Sequence, residues 1–528
     1  SAQLEQIARV SVVQSYLDQV NRILGRSDTV DSRSLMRHFS DAPLLPYVLI
    51  DDLNPEEYAR LLEGLPVESP LQLYTSSTRY YPYNSAAAHT LGFVSINDDP
   101  DVGDFPGEEL KTFALKGTTG RDGLEARFDN LLQGETGGWI WRVDYAGFKV
   151  NPPIQQRRPV QGHNLTTSLD IDLQLAAEQA IGDYTGAAVA LDVATGEVLV
   201  MASKPDYDLN LFAPRLSAET AQQINAKGAW LNRALDGIYP PGSTFKLITS
   251  IAGLRNGRIT PESTADCETT MKIGGRIFKC DNGEGRHGLL AFSEALAQSC
   301  DVYFWTYGLA TGADLIAAEA RRFHLDQPTG IELPHETRRM LIPDPAWKKR
   351  RYNESWFPGD TANMAIGQGF VGVTPLDMAC LVASIARGET TTKPTLIHDP
   401  NRPPQHSEPI GLTPGEYSAL LDGMEGCVTH GTAKILSSPA FQIPGVRLAG
   451  KTGTAQVRTK DGTIDIAWFV GFAPVEHPEI AWAVAIEGDT PGENFGGGRY
   501  AAPIASAILK KYFEKKNREA AAKKVATN

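Results

Sequence analysis

The 528-residue chain has few cysteines, no long apolar run and no excess of positive charge. Its five cysteines are too few for a disulfide framework. No apolar run reaches the length of a membrane span, and no signal peptide is visible. The net charge of -13 argues against nucleic-acid binding, because phosphate neutralisation needs clustered Lys and Arg. What remains is an acidic, globular protein whose 42% apolar content can form the cores of two or three domains.

The segment Pro240-Pro241-Gly242-Ser243-Thr244-Phe245-Lys246 places a serine three residues before a lysine. A helical period follows it, so Ser243 and Lys246 should share one face of a first helical turn. A serine hydroxyl is a poor nucleophile unless a neighbouring group takes its proton, which a neutral lysine amine can do. A helix N-terminus would also offer backbone N–H groups to an oxyanion. Taken alone, however, the pair is more typical of an ordinary helix start.

Two further motifs follow in the chain, Ser299-Cys300-Asp301 and then Lys451-Thr452-Gly453-Thr454. Chance rarely gives S-x-x-K, S-x-D and K-T-G in this order. In these motifs the chain resembles the penicillin-recognising acyl-serine transferases, and among them the class B penicillin-binding proteins, which are D,D-transpeptidases of cell-wall synthesis. The aspartate Asp301 stands where division-type members usually carry Asn, and in this the chain resembles the elongation-type penicillin-binding protein 2.

The resemblance implies a role for each motif residue. Ser243 would attack the carbonyl of a terminal D-alanyl-D-alanine unit, release D-alanine and pass the acyl group to the amine of a second stem peptide. Lys246 would be the base, while a second cation, Lys451, would favour its neutral form and attract the substrate carboxylate. Ser299 would relay a proton, and Asp301 would hold Lys246 or the substrate amide. Thr452 and Thr454 would bind the substrate carboxylate, while Gly453 would let the strand backbone approach the ligand closely. The backbone N–H groups of Ser243 and Thr454 would form the oxyanion hole.

Two β-rich hairpin patterns, over residues 187–202 and 466–487, predict strand pairs at the two ends of one domain. If both share a sheet with the K-T-G strand, helices fill the middle of that domain. This agrees with the implied α+β fold, in which a penicillin-binding transpeptidase domain (an antiparallel sheet covered by helices) follows a mixed α/β, non-catalytic pedestal domain. The predicted boundaries are 1–160 for the pedestal, 161–514 for the transpeptidase domain and 515–528 for a polar, frayed tail.

The same motifs allow other activities. A D,D-carboxypeptidase would pass the acyl group to water, and a β-lactam sensor would be acylated without turnover. A class A or D β-lactamase shares S-x-x-K but is a single domain, which the chain length argues against. An inactive scaffold for cell-wall assembly would not need three intact motifs. The resemblance therefore favours a peptidoglycan D,D-transpeptidase of cell elongation that β-lactams acylate and inhibit.

The resemblance also implies a cellular setting. The protein would lie on the periplasmic side of the cytoplasmic membrane, with a single N-terminal anchor expected before the starting Ser1. Its partners would be stem peptides ending in D-Ala-D-Ala, β-lactam antibiotics, a membrane glycosyltransferase and other elongation-complex proteins, with no nucleic acid. Catalysis would require no cofactor. Two departures stand out: an R-G-x-I-x-D-R-x-G-like segment is not found, and Ile466-Ala467-Trp468 stands where many relatives have His-Ala-Trp.

A group of thiol and metal-binding side chains leads into the second motif. Cys267 and Cys280 flank a predicted hairpin over residues 271–278, which favours a disulfide between them in an oxidising periplasm. That pairing would leave donors for a structural zinc in tetrahedral geometry, namely Asp266, Asp281, His287 and Cys300. A zinc there would brace the S-x-D motif from behind. The alternative is a set of exposed loop residues and a buried free thiol.

Overall fold

The computed structural model describes residues 2–41, 46–50, 53–66, 69–73, 79–96, 118–135, 138–144, 149–212, 216–280, 286–460 and 462–526. The chain divides into two compact units. The first consists of Ser1–Pro82, Phe93–Asn164 and Leu209–Thr220, and the second of Tyr83–Gly92, Leu165–Asp208 and Ala221–Asn528. All three sequence motifs lie in the second unit.

Helices and strands alternate irregularly along the chain. The helices are α1 Ala2–Leu24, α2 Ser32–Asp41, α3 Pro55–Gly64, α4 Ala88–Leu91, α5 Gly123–Arg127, α6 Asp129–Leu132, α7 Ile171–Ile181, α8 Ala218–Ala226, α9 Lys246–Arg255, α10 Phe292–Ala297, α11 Asp301–Thr311, α12 Ala313–Arg322, α13 Pro345–Tyr352, α14 Pro358–Ala365, α15 Pro375–Arg387, α16 Pro414–Thr429 and α17 Gly497–Ala526. The strands are β1 Val94–Ile96, β2 Thr118–Gly120, β3 Gly138–Val143, β4 Lys149–Arg157, β5 Thr185–Asp192, β6 Val198–Lys204, β7 Thr264–Cys267, β8 Thr270–Ile273, β9 Arg276–Lys279, β10 Gly288–Ala291, β11 Ala449–Thr459, β12 Gly462–Ala473 and β13 Ile480–Glu487.

The first unit combines packed helices with two separate antiparallel strand pairs, β1–β2 and β3–β4. The C-terminal half of α1 packs against α3 in a buried cluster of Leu17, Val20, Leu24 and Leu61. Helix α3 begins at a capping box, in which the Asn54 side chain accepts from the Glu57 backbone and the Glu57 carboxylate accepts from the Asn54 backbone.

The second unit is built on one five-stranded antiparallel sheet with the order β11-β12-β13-β5-β6. The N-terminal hairpin β5–β6 and the C-terminal hairpin β12–β13 meet where β13 pairs with β5, from Ile480 opposite Asp192 to Glu487 opposite Thr185. The predicted closure of the two chain ends in a single sheet is therefore confirmed. The K-T-G motif lies on β11, whose outer side has no neighbouring strand in this sheet.

Helices cover both faces of this sheet, so nearly the whole of β13 is buried. Trp482, Val484 and Ile486 of β13 join residues of α7 and α17 in one apolar cluster. The alternate residues Ala481, Ala483 and Ala485 of β13 point to the opposite face, where α15 packs against β13, β5 and β12. Small side chains on that face allow α15 to lie close to the strands. The result is the predicted α+β arrangement of an antiparallel sheet between helices.

The C-terminal segment differs from its prediction. Residues after 514 were expected to form a frayed polar tail, but α17 continues as a helix to Ala526. The segment is rich in Ala and Lys, which favour a helix even without a buried face. The earlier part of α17 is held by burial of Ile508 and Phe513, and Lys515 Nζ lies 2.5 Å from Asp170 Oδ2.

Candidate active site

The S-x-x-K serine lies in a short 3-10 turn, Gly242–Phe245, that leads directly into α9. Gly242 has a φ of +54°, and a Cβ there would come within 2.7 Å of the Thr454 carbonyl oxygen, so the turn needs a glycine to pack against β11. The indole Nε1 of Trp468 on β12 donates to the Pro240 carbonyl over 3.0 Å and ties the turn to the sheet. Ser243 is half-buried beside the edge of β11.

Lys246, the first residue of α9, connects the first motif to the second. Its fully buried amine donates to Asp301 Oδ1 over 2.6 Å, to the Ser299 carbonyl over 2.7 Å and to Ser299 Oγ over 3.1 Å. All three acceptors belong to the S-x-D motif. Ser299 has a φ of +56°, which is uncommon for a residue with a side chain, and it presents both its carbonyl and its hydroxyl to the same amine.

Asp301 therefore holds Lys246, one of the two roles that the resemblance implied for it. The aspartate begins α11, and its carboxylate is one-fifth exposed while the lysine is fully buried. The ring of Phe304, one turn along α11, lies 5.3 Å from Lys246 Nζ. The lysine is thus fixed from several sides, and its amine is oriented by the S-x-D motif.

The K-T-G motif places a second buried lysine on β11. Burial lowers the pKa of Lys451 to about 7; the nearby Cys427 thiol opposes this shift, and the Lys246 amine adds to it. Lys451 Nζ donates to the Thr452 carbonyl over 3.0 Å. A Cβ at Gly453 would lie 2.8 Å from the Pro241 carbonyl oxygen, so this glycine permits the close contact between β11 and the serine turn. The Thr454 side chain is exposed at the strand edge.

Two polar side chains join the site without having been assigned to it from the sequence. Thr432, which follows α16, shares a 2.5 Å hydrogen bond between its Oγ1 and that of Thr452. Gln368 Nε2 donates to the Thr454 carbonyl over 3.4 Å, and the Gly242 N–H donates to the Gly367 carbonyl over 2.9 Å. Thr432 has no local sequence signal, because only the packing of α16 on β11 brings it there.

Three thiols and an imidazole converge directly behind the S-x-D motif. The donor atoms of Cys267, Cys280, His287 and Cys300 all lie within 4.8 Å of one another. His287 Nδ1 is 3.5 Å from Cys267 Sγ and 3.7 Å from Cys280 Sγ. The Asp301 backbone N–H donates to Cys280 Sγ over 3.2 Å, so the cluster touches the motif itself. A hydrogen bond from Cys300 lowers the pKa of the Cys280 thiol.

This geometry corrects two expectations. The predicted hairpin is present as β8–β9, and Cys267 and Cys280 flank it as expected. The predicted Cys267–Cys280 disulfide is not formed, because both thiols are free and each lies beside His287 Nδ1. Asp266 alternates with Cys267 along β7, so its carboxylate points outward, 3.6 Å from an Arg286 nitrogen, and it does not belong to the cluster. Asp281 lies outside the described residues.

The four clustered donors fit a tetrahedral zinc. With Zn–S near 2.3 Å and Zn–N near 2.05 Å, a tetrahedral site separates sulfur from nitrogen by about 3.6 Å. The two S···N distances of 3.5 and 3.7 Å agree with that separation. Three cysteines and one histidine also form a common structural zinc set.

Together the fold and the site define a serine acyl transferase, in which a serine turn, a buried lysine and a lysine-bearing strand edge meet. Residues 186–510 match the penicillin binding protein transpeptidase domain and residues 2–167 the penicillin-binding protein dimerisation domain. The chain belongs to the penicillin-binding protein transpeptidase family. The expected resemblance to class B members, and to penicillin-binding protein 2 in particular, is confirmed.

Relatives and solved structures agree with this assignment. The chain is 31% identical over 451 residues to the peptidoglycan D,D-transpeptidase MrdA of Acinetobacter baumannii, an alignment that covers 80% of this chain and 65% of that protein. The penicillin-binding protein 2 structure from Helicobacter pylori has a TM-score of 0.75 at 27% identity and covers 96% of this chain and 92% of that one. A complex of that organism's penicillin-binding protein 2 with MreC has a TM-score of 0.68 at 30% identity, covering 82% and 78%.

A first prediction concerns the charge of Lys451. With a pKa of about 7, this amine loses its proton as the pH rises from 7 to 9, so its attraction for a ligand carboxylate should fade over that range. In a Ser243→Ala background, where no acyl bond can form, penicillin G should bind more weakly by up to about tenfold per pH unit above 7. Its methyl ester, which has no carboxylate, should show a flat profile. Equilibrium binding from pH 6 to 9 measures both.

The control for this prediction is Lys451→Arg, because a guanidinium stays charged throughout the range. That variant should bind penicillin G with little change between pH 7 and 9. An identical pH profile for the acid and the ester in the parent background would show that Lys451 does not recruit the carboxylate.

Proposed function

We propose that this chain is a serine D,D-transpeptidase that cross-links peptidoglycan stem peptides during cell elongation and that β-lactams acylate at Ser243. The observation that carries the proposal is the buried Lys246 amine, held by Asp301 and Ser299 at the first turn after the serine and beside the K-T-G strand. Relatives that bear the name peptidoglycan D,D-transpeptidase support the same reaction.

The proposed reaction has two acyl-transfer steps. Ser243 Oγ attacks the carbonyl of the penultimate D-alanine, Lys246 takes the hydroxyl proton, and Ser299 returns a proton to the departing amine of the terminal D-alanine. An amine of a second stem peptide then attacks the ester, so that an amide forms and Ser243 regains its proton. The outer side of β11, which has no neighbouring strand in the five-stranded sheet, gives the donor peptide a strand to pair with, and Lys451 lies on that strand to attract its carboxylate.

The test is product analysis on uncross-linked glycan strands that carry pentapeptide stems. Cross-linked dimers should form with the parent protein and disappear with Ser243→Ala or with added penicillin G. Shortened stems without dimers would identify a D,D-carboxypeptidase. Stable acylation by penicillin without either product would identify a β-lactam sensor.

We place this reaction on the periplasmic side of the cytoplasmic membrane, where the stem peptides are, in an assembly with a membrane glycosyltransferase. A structure similar to this chain, with a TM-score of 0.66, is described as showing the coordination of polymerisation and cross-linking by a peptidoglycan synthase complex. Another similar structure is the complex with MreC. Among the described residues, no helix is long and apolar enough to cross a membrane.

We propose further that Cys267, Cys280, His287 and Cys300 hold a structural zinc, while catalysis itself requires no cofactor. Bound there, zinc would supply no chemistry to the acyl transfer and would fix the backbone of the S-x-D motif. Cys300 lies between Ser299 and Asp301, the two residues that orient Lys246, and Cys280 accepts the Asp301 N–H. The ligand set replaces the aspartates of the sequence prediction with cysteines.

Protein purified without chelator should contain about one zinc per chain by elemental analysis. Cys267→Ser should lose the metal and lower both the melting temperature and the rate of acylation by penicillin. Cys380→Ser is a matched control, since Cys380 is a buried free thiol on α15 outside the cluster. Parent protein without zinc, or equal behaviour of the two variants, would refute the zinc assignment.

A further inference from the structure

A partly exposed aromatic cluster lies near the loop that contains Gly367, whose carbonyl accepts from the Gly242 N–H. The rings of Trp347, Tyr352 and Phe370 contact one another, with centroid separations of 5.6 Å for Trp347–Tyr352, 5.0 Å for Trp347–Phe370 and 5.5 Å for the stacked pair Tyr352–Phe370. Tyr352 is 47% exposed and Phe370 is 37% exposed. We call these three rings and Arg351 the aromatic platform. Clustered exposed rings of this kind usually mark a binding surface.

Positive charge accompanies the platform in a chain that is acidic as a whole. Helix α13 carries Lys349, Arg350 and Arg351, all exposed. The Arg351 guanidinium lies 6.0 Å from the centre of the Tyr352 ring, and Arg351 is one helical turn from Trp347, on the same face. Within the described part of the chain Arg351 has no carboxylate partner, so it can bind one from a ligand.

The platform is held rigidly. Asp344 caps α13 by accepting from the Trp347 backbone over 2.6 Å and is itself bound by Arg321 over 2.7 Å. The neighbouring Lys348 is buried and pairs with Asp360 of α14 over 2.6 Å. A ligand therefore meets rings that are already positioned, which reduces the entropy lost on binding.

The distance from the platform to Ser243 is no greater than the length of one extended stem peptide. Phe370 is three residues after Gly367, which accepts from the Gly242 N–H next to Ser243, so its backbone lies within about 11 Å of that contact. In a stem peptide, about four residues separate the scissile carbonyl from the sugar, a span of about 14 Å when extended. Sugar rings present C–H faces that stack on aromatic rings, and the stem peptide carries free carboxylates near its root.

We propose that the aromatic platform binds the glycan strand at the root of a stem peptide, with the three rings stacking on an amino sugar and Arg351 pairing with a stem carboxylate. This inference rests on the proposed transpeptidase function and adds a subsite to it. The platform would let the enzyme prefer stems attached to polymerised glycan over free peptides. A small β-lactam is too short to reach it.

Tyr352→Ala and Arg351→Ala test this subsite, with Lys349→Ala as a charge-matched control on the face of α13 away from Trp347. Binding is measured by fluorescence anisotropy with labelled, uncross-linked glycan strands in a Ser243→Ala background, which prevents turnover. Tyr352→Ala and Arg351→Ala should each weaken strand binding about tenfold, the effect of removing one anchoring side chain, and Lys349→Ala should not. Strands whose stems have been removed by an amidase should bind Arg351→Ala and the background protein equally.

Acylation by penicillin G in the Ser243-containing variants separates this inference from the proposed function. All three variants should be acylated at the parent rate. If the parent itself were not acylated, the proposed function would fail, whatever the glycan result. If Lys349→Ala weakened strand binding as much as Arg351→Ala, the glycan subsite would be wrong. It would also be wrong if the platform variants bound strands normally and lost cross-linking only when a partner protein was present. In that case the platform would be a protein-docking surface.

Discussion

Replacing Ser243 with alanine should abolish covalent labelling by penicillin while leaving the fold unchanged. The acyl bond can form only at a hydroxyl with a base beside it, and Ser243 is the serine that lies one turn before the buried Lys246 and next to β11. The substitution removes one oxygen from a half-buried side chain and leaves the Lys246–Asp301 pair in place. Intact mass after incubation with penicillin G, followed by peptide mapping, measures the label.

Ser299→Ala is the control for this result. Its hydroxyl accepts one hydrogen bond from Lys246, but its backbone carbonyl accepts another, so the lysine should remain bound. We expect slower labelling, still at Ser243. Label found on Ser299 in the parent protein, or label retained by Ser243→Ala, would assign the nucleophile elsewhere.

That the residues of each motif lie close together could be predicted from the sequence because each motif is local. In S-x-x-K and S-x-D, the reacting side chains are two or three residues apart, so a single turn fixes their relation whatever the rest of the chain does. The sheet could be predicted for a similar reason, since each hairpin is contiguous in the chain. Only its closure, with β13 beside β5, required an assumption about distant segments.

The thiol cluster could not be predicted fully because its ligands depend on strand pairing. Asp266 and Cys267 are adjacent, and they point to opposite sides of β7, so choosing between them requires knowing which side faces Cys300. The predicted hairpin between Cys267 and Cys280 is present as β8–β9. In addition, β7 pairs with β10 across that hairpin, and this pairing brings His287 beside Cys267.

Residues contributed by distant helices were missed for the same physical reason. Thr432 reaches Thr452 only because α16 packs on β11, and nothing in the residues near it distinguishes it from any other threonine after a helix. The helical continuation of α17 shows the opposite case. There local propensity alone predicts the helix, whereas the charged composition had favoured a frayed tail.

Replacing Lys246 with arginine should stop acylation almost completely. If the amine takes the Ser243 proton, it must be able to lose its own, which an arginine side chain cannot do. Loss of general-base catalysis typically costs about 10² to 10⁴-fold in rate, and we expect the second-order rate of acylation by a fluorescent penicillin to fall by that factor. The variant keeps a positive charge opposite Asp301, so its loss of rate would not be due to an unpaired buried carboxylate.

Lys451→Arg provides the comparison that gives the Lys246 result its meaning. Both lysines are fully buried and both substitutions keep the charge, so any general effect of inserting a larger cation should be common to the two variants. The role that we propose for Lys451 is to attract a carboxylate, which an arginine can still do, and we expect weaker initial binding with a smaller change in the acylation step. Melting temperatures of both variants identify any loss of folding. Equal losses in the acylation step at equal melting temperature would mean that Lys246 is not the base, and that both lysines act only through their charge.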